Sequence, residues 1–143
     1  MSENRNPRAR KHVLFAVKLA AVMIGAALLL ALARKQGWID HGLVVRAYNV
    51  VMGLALAVYF NVMPKVMHEA PPRSMREATL AQAVARVSGW TMTLAFLAWA
   101  ALWAFAPQEI AKAGSLAAVG ASVAVMLGYT VWKSVAGRRS TSG

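Results

Sequence analysis

Cysteine is absent from these 143 residues, which excludes a disulfide framework and a thiolate site. Acidic residues are scarce: Glu3, Asp40, Glu69, Glu77 and Glu109 complete the set. None lies inside a long apolar run, so a proton relay or cation-coupled cycle built on intramembrane carboxylates has nothing to work with. His12, His41 and His68 fall in separate segments without H-x-x-x-H spacing, which disfavours a metal or haem site. Ser88, Ser115 and Ser122 have no nearby base in sequence and offer no catalytic dyad. The expectation is a protein with no enzymatic activity and no cofactor.

Apolar sequence is what the chain has in abundance. Hydrophobic residues make up 59% of it, and they collect in four runs, residues 13–33, 43–63, 87–106 and 113–132. A hydrocarbon core about 30 Å thick needs roughly 20 helical residues, each rising 1.5 Å, so each run is long enough to cross a bilayer. The fold expected is all-α: one integral membrane four-helix bundle over residues 13–132. A disordered basic arm, residues 1–12, precedes it, and a flexible basic tail, residues 133–143, follows.

The formal charge of +11 is explained by topology. Arg5, Arg8, Arg10 and Lys11 precede run one; Lys65, Arg73, Arg76 and Arg86 lie between runs two and three; Lys133, Arg138 and Arg139 follow run four. These eleven fall on one side of the membrane, against three, Arg34, Lys35 and Lys112, on the other. The positive-inside rule then puts both termini in the cytoplasm. Nucleic acid would call for a clustered basic face on a soluble fold and is not expected as a partner; anionic headgroups at the cytoplasmic surface are. A competing reading treats run one as a secretory signal with Ala31-Leu32-Ala33 as an A-x-A site. Its roughly 21 residues exceed the 7–15 of a signal core, and it contains Lys18.

Punctuation refines the elements. Gly37 can supply a left-handed cap to helix one, and Trp38 suits a membrane interface. Pro64 is expected to close helix two at Met63. Ser74-Met75-Arg76-Glu77 matches a capping box, so helix three should start at Ser74 and run unbroken to Ala106-Pro107, about 50 Å at 1.5 Å per residue. Gly120, Ala124 and Gly128, at four-residue spacing, form a small-residue face that lets a neighbouring backbone approach; packing inside the bundle is the expected use, a dimer seam the alternative.

Ionisable and amide groups within the spans are the functional candidates. Lys18 lies about six residues into the inner leaflet, a depth from which its stem can snorkel. Arg46, Asn49 and Gly53 share a face of helix two, and Arg46 has Asp40 and Glu109 as prospective ion-pair partners. The sharper expectation is an outward pocket lined by Arg46 and Asn49 and an inward polar cluster of Asn61, Lys65 and Arg86; the plainer one is helix packing, since an interhelical bond of this kind averages only about 0.6 kcal/mol.

Residues 61–107 carry a resemblance. Asn61-Val62-Met63-Pro64-Lys65, and then Gln82-Ala83-Val84-Ala85-Arg86-Val87-Ser88-Gly89-Trp90 leading into run three, resemble the matching part of SdpI-type bacterial membrane proteins, the immunity and signalling group, and of small four-span relatives. Phe60 stands where that group has Gly before the Asn, and the loop from Val66 to Arg73 lacks its Arg-Thr-Pro-Trp-like element. The resemblance implies an immunity-like or sensor role. Together the readings describe a multi-pass protein of a bacterial cytoplasmic membrane that binds a membrane partner or a second copy of itself. The alternative is an oligomeric transporter or channel subunit lined by Arg46, Asn49 and Asn61.

Overall fold

The computed structural model describes residues 7–67 and 75–139. They form four helices, α1 (Pro7–Lys35), α2 (His41–Met67), α3 (Met75–Phe105) and α4 (Gln108–Arg139), joined by short turns wherever the connection is described. All four are long and apolar enough to cross a membrane, over Val13–Lys35, His41–Val62, Gln82–Phe105 and Gln108–Ala136.

Local chemistry sets most of the boundaries. α1 ends in a Schellman motif: Gly37, at φ 76°, donates its N–H to the Arg34 carbonyl at 2.9 Å, and Trp38 donates to Ala33 at 3.0 Å. Asp40 caps α2, its Oδ2 accepting from the Gly42 N–H at 2.9 Å and its carbonyl from Val44 at 3.2 Å; a carboxylate there also complements the positive end of the helix dipole. α3 and α4 meet across Ala106-Pro107 alone, and the Pro107 carbonyl accepts the first helical bond of α4 from Ala111 at 2.9 Å. The Ser74 capping box lies outside the described residues.

Three expected boundaries are corrected. α1 begins at Pro7, inside the expected arm, because Pro is pre-set for a first helical position and the following Arg, Lys and Ala residues favour helix. α2 continues through Pro64 to Met67; one missing N–H costs a single ladder bond, which a long transmembrane-type helix tolerates. α4 starts at Gln108 and extends to Arg139, so much of the expected flexible tail is helical.

The helices pack in series. α1 rests on α2, α2 makes its most extensive contact with α3, and α3 carries α4; among the described residues every other pair touches marginally at most. The tight centre is α2–α3, where a Cβ on Gly53 would stand 3.0 Å from the Phe96 carbonyl oxygen and 3.1 Å from Ala100. Ala57 on α2 and Ala100 on α3 are both buried. Small residues let the backbones approach, which is how helices gain dispersion energy in a lipid environment. An aromatic ladder crosses three helices: Phe15 stacks on Tyr59 at 6.5 Å, Tyr59 meets Phe60 edge-on at 5.5 Å, Phe60 stacks on Phe96 at 5.5 Å, and Phe96 tilts against Trp99 at 6.3 Å.

Candidate functional site

Each candidate polar residue has a definite place. Arg46, half-buried in the first turns of α2, donates from Nη2 to the carbonyl of Ala106 at 2.6 Å. That oxygen lies at the C-terminal end of α3, where carbonyls lack helical donors and a cation is favourable. Arg46 therefore caps another helix, and neither expected ion pair forms: Asp40 caps α2, and Glu109 pairs with Lys112 at 3.2 Å on the exposed first turn of α4. Asn49, one turn further along α2, donates from Nδ2 to the Val45 carbonyl of its own helix at 2.8 Å. The expected outward pocket is thus not presented as such, since both side chains spend a donor on carbonyls of this chain.

The small-residue face of α4 is the clearest correction. Gly120, Ala124 and Gly128 are all exposed, and a Cβ on either glycine would meet nothing within 4 Å. The face that packs on α3 is Ala111 at 0% exposure, Ser115 at 1% and Ser122 at 6%. Those positions also keep helical spacing, so α4 offers two small-residue faces, and α3 takes the one bearing hydroxyls. Ser115 donates to the Lys112 carbonyl at 3.1 Å, and Ser122 lies 2.9 Å from the Val119 carbonyl and 3.1 Å from the Met92 sulfur. A serine that bonds back to its own helix buries its hydroxyl at little cost.

Apart from Asn61, sequence reasoning missed the residues that line a groove between two of the helices. An open groove of about 440 Å³ runs between α2 and α3, lined by Leu54, Ala57, Val58, Asn61, Val62, Thr93 and Leu97. Its walls are apolar except for Asn61 and Thr93. Thr93 is buried and donates to the Gly89 carbonyl at 2.7 Å, with the Ala57 carbonyl across the interface at 3.4 Å. Of the expected inward cluster, Asn61 lines this groove, Arg86 is exposed on α3, and the side chain of Lys65 lies outside the described residues. Lys18 is exposed on α1.

Two further polar groups stand out by being unpaired: the indole N–H groups of Trp99 and Trp103, one turn apart on α3, are buried with no hydrogen-bond partner among the described residues. At the far end of α4, Lys133 lies 5.9 Å from the Tyr129 ring centre and 5.5 Å from that of Trp132, within reach of a cation–π attraction. No group of three or more His, Asp or Glu side chains able to hold a metal occurs among the described residues.

Set beside known proteins, the chain matches no family model, no curated protein and no solved structure.

Proposed function

We propose that the chain is a multi-pass protein of a bacterial cytoplasmic membrane, with both termini inside, that works without catalysis as a partner-binding module of the sensor or immunity-like kind. The observation that carries this reading is the serial packing of the helices. A closed bundle would bury the inner faces of all its helices against one another. This array leaves α1 and α4 at its ends, each held from one side, with flanks open to a membrane partner or to a second copy of the chain.

Both flanks turn bulky apolar side chains outward, and α4 adds a stripe of small ones. α1 turns bulky side chains outward, among them Val17, Ile24, Leu28 and Leu29, as suits contact with lipid chains. α4 turns outward Gly120, Ala124 and Gly128, a surface over which another helix can come close. The transporter alternative draws less support, because Arg46 and Asn49 already bond to carbonyls of this chain.

Crosslinking in native membranes followed by co-purification tests the proposal. A specific membrane-protein partner or homo-oligomer is expected, weakened by Gly120→Ile with Gly128→Ile, together with no conduction when the purified chain is placed in liposomes. Conduction by the chain alone that is lost on Asn49→Leu would instead establish the transporter reading.

A further inference from the structure

The two walls of the α2–α3 groove change polarity in the same direction. On α2 the groove-lining positions Leu54, Val58 and Asn61 follow a 4-3 spacing that continues, one turn on, to Lys65. On α3 Leu97 and Thr93 line the groove, and the same spacing continues to Trp90 and Arg86. The antiparallel register brings these gradients together. Ala57 is level with Thr93 through the 3.4 Å hydroxyl contact; Lys65 lies eight residues beyond the first and Arg86 seven before the second, about 12 and 10 Å along helices that rise 1.5 Å per residue. Both basic positions therefore occupy one level at the mouth of the groove, where the Arg86 side chain and the Trp90 ring, 60% exposed, are open to the surroundings.

The groove thus offers aliphatic walls and a carboxamide, and by helical spacing the two faces continue beyond it to an indole and two basic positions. That order matches the parts of a phospholipid: acyl chain, glycerol esters, interfacial zone and phosphate. We propose that the α2–α3 groove binds an anionic glycerophospholipid of the leaflet at the Lys65 and Arg86 end, one acyl chain lying along Leu54, Val58 and Leu97 and the phosphate at the level of Arg86. Charge complementarity commits the site to a lipid: a partner helix could fill the apolar walls but has no need of two basic positions at one level, whereas basic pockets between transmembrane helices on the cytoplasmic side are suited to anionic headgroups. The groove volume lies within the range of about 300–1,000 Å³ usual for small-ligand sites. The proposal depends on the chain lying in a membrane and is independent of the partner-binding reading.

Native mass spectrometry of the full chain in detergent, titrated with palmitoyl-oleoyl phosphatidylglycerol or phosphatidylcholine, tests it. Phosphatidylglycerol should be retained in preference, and Lys65→Gln with Arg86→Gln should weaken it on the order of tenfold, removing two basic side chains from the headgroup. Val58→Trp, which fills the groove from an exposed position, should weaken both lipids; Leu54→Phe on the same wall replaces it if that variant loses helicity by circular dichroism. Arg138→Gln with Arg139→Gln, removing charge from the end of α4, should change nothing. Equal retention of the two lipids by the unaltered chain overturns the proposal, as does a loss on Arg138→Gln with Arg139→Gln as large as that on Lys65→Gln with Arg86→Gln, or indifference to both groove-filling variants. A chain that leaves the membrane fraction on alkaline extraction overturns the membrane reading itself.

Discussion

Gly53 and Gly120 sit in helices of similar composition and answer to opposite constraints. A methyl group at Gly53 would press on the Phe96 carbonyl and the Ala100 backbone, which can give way only if α2 and α3 separate. Gly53→Ala is expected to destabilise the chain by about 1–3 kcal/mol, whereas Gly120→Ala, with nothing within 4 Å, should be neutral or stabilise α4 by up to about 1 kcal/mol through helix propensity. Unfolding of both variants from detergent micelles by a denaturing detergent reads the difference. Trp103 offers a second contrast. Its indole body is buried while its N–H finds no partner among the described residues. Trp103→Phe, which removes that donor, should cost clearly less than Trp103→Ala, for which about 3–5 kcal/mol is expected from the cavity; the same unfolding assay ranks them.

The α3–α4 turn depends on a residue sixty positions away. Arg46 reaches from α2 to the Ala106 carbonyl, so the cap of α3 is also the strap that holds the turn to α2. A hydrogen bond from a charged donor contributes about 1.5–3 kcal/mol, and Arg46→Gln should forfeit much of that while speeding amide exchange in the first turn of α4, followed by mass spectrometry. Nothing in the local sequence announces this contact, because the acceptor is a backbone atom that only tertiary packing brings near. Gly37 and the Ala106-Pro107 turn were legible, since each acts on its neighbours through φ preference, whereas Asp40, expected beside Arg46, caps its own helix instead. Pro64 misled for the complementary reason: a local penalty of one bond is outweighed when α2 gains from continuing. The small faces of α4 show a different limit. Spacing reveals that Gly120, Ala124 and Gly128 share a face, and equally that Ala111, Ser115 and Ser122 do, but the choice between them is made by α3 and is absent from the sequence of α4.

Across the whole chain the basic residues and the apolar surface have to be read together. The exposed side chains of α1 through α4 include Leu29, Leu94, Phe105, Leu116 and Val131, a coat that water would penalise and hydrocarbon would not. With eleven cations assigned to one side and three to the other, a reporter enzyme fused after Gly143 is expected to be active in the cytoplasm and silent outside it. The groove between α2 and α3 escaped sequence reasoning because its walls come from two helices whose relative rotation is fixed by the Gly53 contact; Asn61, Lys65 and Arg86 drew notice together as a polar cluster, while the apolar residues beside them gave no signal.

The attachment of α1 to α2 alone divides the chain into parts of unequal autonomy. α2, α3 and α4 are joined by the two most extensive contacts, and the first helix adheres to α2 through a smaller one that includes the Phe15–Tyr59 stack. Separate insertion of helices followed by lateral association is the ordinary course of membrane assembly. Residues 1–37 and 38–143, produced as two polypeptides, should accordingly reassociate in the bilayer and co-purify, and a division between α2 and α3 should give the firmer complex, because its two halves meet through the more extensive α2–α3 contact.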